Sequence, residues 1–147
     1  MDDNYLRKNM KNSKCLGLIT ARGGSKGVVN KNIRKLNGIP LIGYTINVAK
    51  KCQHIDRLIV STDSEEIKKV SLECGAEVPF LRPYELALDT SKQEDAVMHT
   101  LDWCKKNDYT PNHICLLEPT TPFRKLENLN RGFETLFSDK KIKGIFS

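Results

Sequence analysis

Short apolar runs alternate with amphipathic segments along this chain, a pattern typical of α/β proteins. The run Cys15–Thr20 predicts a buried strand. Apolar residues then recur with a helical period from Pro40, a residue that favours a helix start, to Cys52. Residues 57–62 predict the next strand, and the amphipathic helix that follows is expected to end at Gly75.

The amino ends of two helices are predicted from polar residues. Asp63 is suited to be the N-cap of the second helix, because Glu65 and Glu66 would then lie in its first turn, where the helix dipole favours negative charge. Before the third helix, Ser91 and Glu94 have the spacing of a capping box. The cap assignment leaves open whether Asp63 also has another role.

The second half of the chain continues the alternation. Residues 76–80 predict a third, short strand. Residues 113–119 predict a fourth, whose near-continuous apolar run is typical of a strand covered on both faces. Residues 143–147 predict the start of a fifth strand, so the chain is expected to end inside a strand and to be a fragment. The apolar faces of the third and fourth helices are expected at positions 96, 97, 100, 101 and 104, and at 126, 129, 133, 136 and 137.

This order of elements predicts a doubly wound, mostly parallel sheet with helices on both faces, a Rossmann-like α/β fold. In such sheets, ligands bind beyond the carboxyl ends of the strands. The polar segments 20–27, 61–63 and 118–124 each follow a predicted strand, so we expect them to meet at one edge. We expect a polar tail over residues 1–14 and an α/β domain over 15–147 that is incomplete at its C-terminal end.

Composition narrows the class of protein. The 147 residues are 39% hydrophobic and 29% charged, which is typical of a globular domain. No apolar stretch reaches the roughly 18 residues of a membrane span, and the N-terminus lacks the apolar core of a signal peptide. The five cysteines have no CxxC pair and the three histidines have no metal-ligand spacing. We therefore expect a cytoplasmic protein with reduced, mostly buried cysteines and no membrane partner.

Positive charge is concentrated in the first third of the chain. The net charge is +6, and no acidic residue occurs between Asp3 and Asp56. A basic region of this kind suggests an anionic partner, either nucleic acid or a nucleotide polyphosphate. The single tryptophan and the lack of interleaved aromatic and basic residues disfavour nucleic acid. We therefore expect no nucleic-acid partner.

A glycine-rich segment, ARGGSKG at residues 21–27, follows the first strand, and Lys31 and Asn32 come shortly after it. Its spacing matches neither the Walker P-loop nor the GxGxxG motif. Glycines allow backbone N–H groups to approach phosphate oxygens, and the cations would neutralise phosphate charge. The alternative is a tight strand-to-helix turn with solvated lysines, which does not require glycines and cations to be interleaved.

Four segments in this order resemble the acylneuraminate cytidylyltransferases, the CMP-sialic acid synthetases. They are ARGGSKG followed by KN, then residues 59–67, 81–91 and 116–124, and the resemblance extends from Cys15 to Ser147. It implies a nucleotidyltransferase fold and transfer of CMP from CTP to the anomeric hydroxyl of a nine-carbon 2-keto sugar acid, with release of pyrophosphate. The alternatives are a related sugar acid (legionaminic, pseudaminic or 3-deoxy-manno-octulosonic acid) and a non-catalytic nucleotide-binding protein of the same fold.

The resemblance also implies roles for individual residues. Arg22 and Lys31 correspond to triphosphate-binding cations and are the candidate catalytic residues. The other candidate nucleotide ligands are Gly23, Gly24, Ser25, Lys26, Gly27, Asn32, Arg82, Ser91 and Gln93. The candidate sugar ligands are Glu118, Thr120 and Arg124.

Two positions depart from the family's pattern. The family more often has a small residue where Gln93 stands, and usually has glutamine where Glu118 stands. A carboxylate at 118 would repel the carboxylate of a sugar acid, so Glu118 either alters sugar specificity or points away. Arg124 is either a solvated cation at a helix start or a partner of the sugar carboxylate.

The resemblance further implies Mg²⁺ as the cofactor and a homodimer for the full-length protein. In the family, the metal-binding aspartates lie in a later motif, so we expect no metal ligands in this chain and ligands mainly beyond residue 147. A chain of this extent alone is then expected to be poorly active.

Overall fold

A three-stranded parallel sheet lies at the centre of the structure. The computed structural model describes residues 13–24, 27–139 and 141–145. The elements in chain order are β1 (Cys15–Thr20), a 3₁₀ turn (Lys31–Ile33), β2 (Lys35–Leu36), β3 (Ile39–Pro40), α1 (Leu41–Lys51), β4 (Arg57–Ser61), α2 (Glu65–Glu73), a 3₁₀ turn (Tyr84–Leu86), α3 (Gln93–Lys106), β5 (His113–Leu117) and α4 (Leu126–Ser138).

The strand order is β4-β1-β5, with all pairs parallel. Leu18 at the centre of β1 is level with Ile59 of β4 and Leu116 of β5. The chain therefore leaves β1 towards one side of the sheet and later returns to the other. This reversal at β1 is the feature of a doubly wound sheet, and ligands bind beyond it.

Helices cover both faces of the sheet because the side chains of β1 and β4 alternate. Leu16, Leu18 and Ile59 are buried on the face covered by α3. Ile19 and Val60 are buried on the opposite face, where α1 and α2 pack. Helix α4 adds Phe133 and Phe137 to that second face, and the helical period predicted there is confirmed.

A two-residue turn joins β2 to β3 in a hairpin that was not predicted from the sequence. Asn37 and Gly38 both have positive φ, at 49° and 81°. Asn-Gly is the pair that best adopts this turn, so the signal was present in the sequence. Helix α1 begins at Leu41, directly after Pro40, as predicted.

Two helix caps differ from the prediction by one residue. Ser64, and not Asp63, is the N-cap of α2, and its Oγ accepts a hydrogen bond from the Ile67 N–H at 3.3 Å. At α3, the N–H of Lys92 donates to Asp95 at 3.2 Å, whereas the Ser91 hydroxyl donates to the Glu85 carbonyl. In each case the predicted cap side chain binds a group outside the helix.

The predicted third strand is reduced to a single bridge. The backbone N–H of Glu77 donates to the Leu58 carbonyl at 2.9 Å, and the backbone carbonyl of Glu77 accepts from the Val60 N–H at 2.8 Å. Pro79 follows two residues later and has no N–H to donate, so the pairing does not continue. Val78 is nevertheless buried in the core.

Strand β5 is covered on one face only, contrary to the prediction. Leu117 is buried, but Ile114 and Leu116 on the other face are 38% and 40% exposed. Helix α3 packs over β1 and β4 and leaves this face of β5 open. Residues 143–145 form no strand, and the other two residues of the predicted fifth strand, 146 and 147, lie outside the described residues.

All five cysteines are free thiols, as the sequence analysis expected. Cys15, Cys52 and Cys104 are buried, and burial raises the pKa of each thiol. Burial likewise raises the pKa of Cys115, to about 12. None of the helices in the described part of the chain has the length and apolar character needed to cross a membrane.

Candidate functional site

Two adjoining clefts open at the carboxyl edge of the sheet. The larger has a volume of about 480 Å³ and the smaller about 310 Å³. Both are lined by Thr20, Arg22, Gln93 and Glu118. Thr20 ends β1 and Glu118 directly follows β5, so the clefts lie where the strand order reverses. The expected meeting of segments 20–27 and 118–124 at one edge is therefore confirmed, and a hydrogen bond from Gly23 to Asp63 joins segment 61–63 to them.

The larger cleft has a cationic wall. Arg22, Gly27, Lys31 and Asn32 line it together with residues that follow β5. Asn32 is buried, and its Nδ2 donates to the Arg22 carbonyl at 3.1 Å. The 3₁₀ turn that carries Lys31 and Asn32 thereby fixes the backbone of Arg22 beside the cleft.

Arg22 forms an ion pair across the smaller cleft. Its Nη1 lies 2.5 Å from Oδ1 of Asp89, and both side chains are partly exposed. Asp89 belongs to the loop before α3, so the pair joins that loop to the glycine-rich segment. This pair could not be predicted from the sequence, because its two residues lie 67 positions apart in the chain.

Asp63 is hydrogen-bonded to the glycine-rich segment. Its Oδ1 accepts from the Gly23 N–H at 2.9 Å. A Cβ on Gly23 would lie 3.1 Å from Cβ of Ser64, so glycine permits this close approach of the two turns. The contact replaces the cap role predicted for Asp63.

Arg82 lies in the wall of the smaller cleft and is only 7% exposed. Its backbone N–H donates to the Thr62 carbonyl at 2.7 Å. Its Nε is buried and has no hydrogen-bond partner among the described residues. Burial lowers the pKa of the guanidinium, Asp63 opposes this shift, and the positive charge of Arg22 adds to it. A buried cation of this kind is suited to bind an anion or a polar ring.

Gln93 and Ser91 line the smaller cleft from the start of α3. The Nε2 of Gln93 donates to Oγ1 of Thr20 at 3.0 Å, which ties α3 to the end of β1. The Ser91 hydroxyl donates to the Glu85 carbonyl at 2.7 Å, and this bond orders the loop that carries Asp89.

The predicted sugar ligands are placed in different surroundings. Glu118 and Thr120 are exposed and line the larger cleft. The Glu118 carbonyl accepts from Oγ1 of Thr45 at 3.3 Å, which anchors this segment on α1. Arg124 lines neither cleft; its Nη1 is buried without a partner in the described part of the chain, and its charge acts on Cys115.

Four predicted nucleotide ligands of the glycine-rich segment are not among the described residues that line the clefts. Gly23 and Gly24 line neither cleft, and Ser25 and Lys26 lie outside the described residues. Several residues that line the clefts were not predicted from the sequence. These are Thr20, Val28, Leu86, Ala87, Leu88, Asp89, Lys92 and Pro119.

The described residues do not form a site for Mg²⁺. The described ranges contain no group of three or more His, Cys, Asp or Glu side chains that could hold a metal ion. The expectation that its ligands lie mainly beyond residue 147 stays a prediction.

The chain matches the sequence model of one family, described as Cytidylyltransferase, over residues 16–144. This chain belongs to the cytidylyltransferase family. The resemblance stated from the four segments is thereby confirmed, and the fold they implied is confirmed by solved structures. A solved structure of CMP:2-keto-3-deoxy-manno-octonic acid synthetase complexed with CTP superposes with a TM-score of 0.73 at 16% identity, over 86% of this chain and 48% of that one.

Several curated relatives of this family member are synthases of different CMP-sugars. CMP-N,N'-diacetyllegionaminic acid synthase of Legionella pneumophila is 41% identical, covering 81% of this chain and 51% of the relative. Pseudaminic acid cytidylyltransferase of Campylobacter jejuni is 34% identical, covering 91% and 57%. N-acylneuraminate cytidylyltransferase of Escherichia coli is 39% identical, covering 76% and 26%. The chain spans about half the length of the first two relatives.

Proposed function

We propose that the protein containing this chain transfers CMP from CTP to the anomeric hydroxyl of a sugar acid related to sialic acid, with release of pyrophosphate. The observation that carries this proposal is the cationic double cleft at the strand reversal, lined by Arg22, Lys31 and Arg82. The family and the names of the relatives support the same chemistry.

The two clefts suggest how the nucleotide is divided between them. We assign the triphosphate to the larger cleft, where Arg22 and Lys31 supply positive charge and Gly27 leaves backbone accessible. We assign the nucleoside to the smaller cleft, where Arg82, Ser91 and Gln93 supply hydrogen-bonding groups. Arg22 lines both clefts and so lies where the α-phosphate would be held.

The reaction needs positioning and charge neutralisation more than covalent participation. The anomeric oxygen attacks the α-phosphorus in line, the bond from that phosphorus to the β-phosphate oxygen breaks, and pyrophosphate leaves. Arg22 and Lys31 stabilise the negative charge that develops on the leaving group. The proton of the anomeric hydroxyl passes to solvent or to a neighbouring base.

We propose that Glu118 and Thr120 contact the sugar; their position in the lining of the larger cleft, which also contains Arg22 and Lys31, supports this. The relatives act, by their names, on legionaminic, pseudaminic and N-acylneuraminic acids. We propose that Glu118 contributes to the choice among such acids, because a carboxylate there repels a substrate carboxylate. The resemblance also supports a cytoplasmic homodimer that uses Mg²⁺ and binds neither nucleic acid nor membrane.

A pyrophosphate-release assay on the full-length protein tests this proposal. CTP would be combined in turn with N-acetylneuraminic, legionaminic, pseudaminic and 3-deoxy-manno-octulosonic acid. We expect release with one or two of these acids and none with CTP alone. CTP binding without release on any acid would favour the non-catalytic alternative. Calorimetric binding to a random DNA duplex as tight as to CTP would contradict the proposal.

A further inference from the structure

The peptide bond between Arg22 and Gly23 is held at both ends by side chains from distant segments. Its carbonyl oxygen accepts from Nδ2 of Asn32 at 3.1 Å. Its N–H donates to Oδ1 of Asp63 at 2.9 Å. Two hydrogen bonds on one peptide unit fix its plane, and they therefore fix the direction in which the Arg22 side chain leaves the backbone.

The charge of Asp63 also acts on Arg82, the buried cation in the wall of the smaller cleft. The residue before Asp63, Thr62, accepts the backbone hydrogen bond of Arg82 at 2.7 Å. Arg82 is buried, and a buried guanidinium requires a nearby negative charge. The Asp63 carboxylate raises the pKa of Arg82 against the effect of burial, so it offsets part of the cost of burying this cation.

The turn that contains Asp63 does not need its carboxylate for local structure. Ser64 caps α2 through its hydroxyl, and the Ser64 N–H donates to Oγ1 of Thr62 at 3.1 Å. The carboxylate of Asp63 is thus directed at the glycine-rich segment, and its charge acts on Arg82. Its contacts join segments about 40 residues apart, which is more than helix capping requires.

We infer that Asp63 is a positioning residue for the nucleotide site, which orients Arg22 through the Gly23 peptide and balances the charge of Arg82. The inference rests on the proposed function. It concerns a residue that touches neither the proposed triphosphate nor the sugar, and that acts through two cations that do line the clefts.

Two substitutions of Asp63 separate its two contributions. Asp63→Asn keeps an oxygen that can accept from the Gly23 N–H and removes the charge beside Arg82. Asp63→Ala removes both. Ser64→Ala is the matched control, because it removes the N-cap of α2 at the adjacent residue and leaves the Asp63 carboxylate in place. All variants are made in the full-length protein.

The first readout is hydrogen exchange of the Gly23 amide, which needs no substrate. We expect Asp63→Ala to speed this exchange about tenfold or more, because a hydrogen bond to a charged acceptor is lost. Asp63→Asn should keep most of the protection. The second readout is turnover: both Asp63 variants should raise KM for CTP, Asp63→Ala by about tenfold and Asp63→Asn by less. Ser64→Ala should lower Tm and leave this KM unchanged.

The outcomes distinguish the inference from the function on which it rests. If the wild-type protein uses CTP and Asp63→Ala does so with an unchanged KM, Asp63 has no positioning role and the inference is overturned alone. If the wild-type protein binds no CTP, the proposed function fails and takes the inference with it. Should Asp63→Ala not fold, Asp63→Asn, which has the same shape, decides the question through KM.

Discussion

Two arginines at opposite edges of the sheet have different surroundings. Arg57, at the amino end of β4, forms three hydrogen bonds of 2.6 to 2.9 Å with the Glu77 carboxylate. Its guanidinium also lies over the rings of Trp103 and Tyr109, at 5.1 and 5.4 Å. Arg22, beyond the carboxyl end of β1, has one carboxylate contact in the described part of the chain and lines both clefts.

The difference shows how an arginine can be assigned from its surroundings. The planar guanidinium has five N–H donors, and Arg57 directs its fork and its flat face at other side chains. Arg22 retains donors facing open clefts, and Arg82 nearby retains a buried Nε without a partner among the described residues. The amino edge therefore stabilises the fold, whereas the carboxyl edge keeps its cations available for an anion.

The largest expected effect is the loss of activity at the carboxyl edge. In the full-length protein, Arg22→Ala and Lys31→Ala should each lower kcat/KM by about 100-fold, the scale of one lost transition-state donor. Tm should change little, because exposed ion pairs contribute only about 0–1 kcal/mol. Lys35→Ala, on the exposed β2 strand away from the clefts, is the control. Near-wild-type turnover of Arg22→Ala would contradict the assignment of the cleft.

The opposite result is expected at the amino edge. Arg57→Ala should lower the free energy of unfolding by about 1–3 kcal/mol, because charged hydrogen bonds and ring contacts are lost together. Its kcat/KM should not change. Arg57→Lys should lie between, since an ammonium keeps the charge but cannot form the two-nitrogen contact. Urea unfolding followed by turnover measures both quantities, and a loss of activity without a loss of stability would break the comparison.

A smaller effect is expected at Glu118, a negative charge among the cations of the carboxyl edge. Glu118→Gln should lower KM for the sugar acid roughly fivefold, about 1 kcal/mol, by removing one charge repulsion in a solvated cleft. KM for CTP should stay nearly constant. Glu127→Gln, on the first turn of α4 outside both clefts, should change neither constant. If both constants of Glu118→Gln equal those of the wild type, Glu118 does not contact the sugar.

The smallest expected effect concerns the pH dependence of stability. His54 is buried against Phe133 and Phe137, and burial lowers its pKa. The unfolded chain, with a histidine pKa of about 6.5, then binds more protons than the folded chain. The contribution of His54 to the free energy of unfolding is fully present above about pH 6.5. It is lost as the pH falls through the pKa of His54 in the folded protein. His54→Gln should flatten Tm against pH in this window, and an unchanged slope would show that other groups dominate.

His99 reports on the cations of the carboxyl edge, whereas His54 does not. Burial also lowers the pKa of His99, and the positive charge of Arg82 lowers it further. Arg82→Ala should therefore raise the pKa of His99 and leave that of His54 unchanged. An NMR titration of the imidazole C–H protons measures both values in one experiment.

The sequence predicted those parts of the fold that depend on local patterning. The apolar runs of β1 and β4, the helical periods and the glycine after α2 are all found, and Gly75 has the positive φ of 90° that a helix end favours. The half-exposed face of β5 could not be predicted, because an apolar run does not reveal whether a helix reaches it.

The candidate site was also predicted only in part, because the sequence identifies its segments but not the contacts between them. Arg22, Lys31, Gln93 and Glu118 were identified by resemblance, and the structure brings them to the clefts. The contacts that organise them were not predicted. Asp63 was assigned to the nearest helix end, although its hydrogen-bond partner lies 40 residues away. Local sequence carries no information about such pairs.

The buried thiols allow the opening of the core to be followed by chemical labelling. Cys15 and Cys104 have no exposed surface and lie on opposite faces of the sheet. Only a thiolate reacts readily with an alkylating reagent, and burial suppresses thiolate formation at both positions. Each cysteine is therefore alkylated only while its layer is open. The labelling rate of Cys104, followed by mass spectrometry, reports on the opening of the α3 layer. The labelling rate of Cys15 reports on the opening of the layer that contains α4.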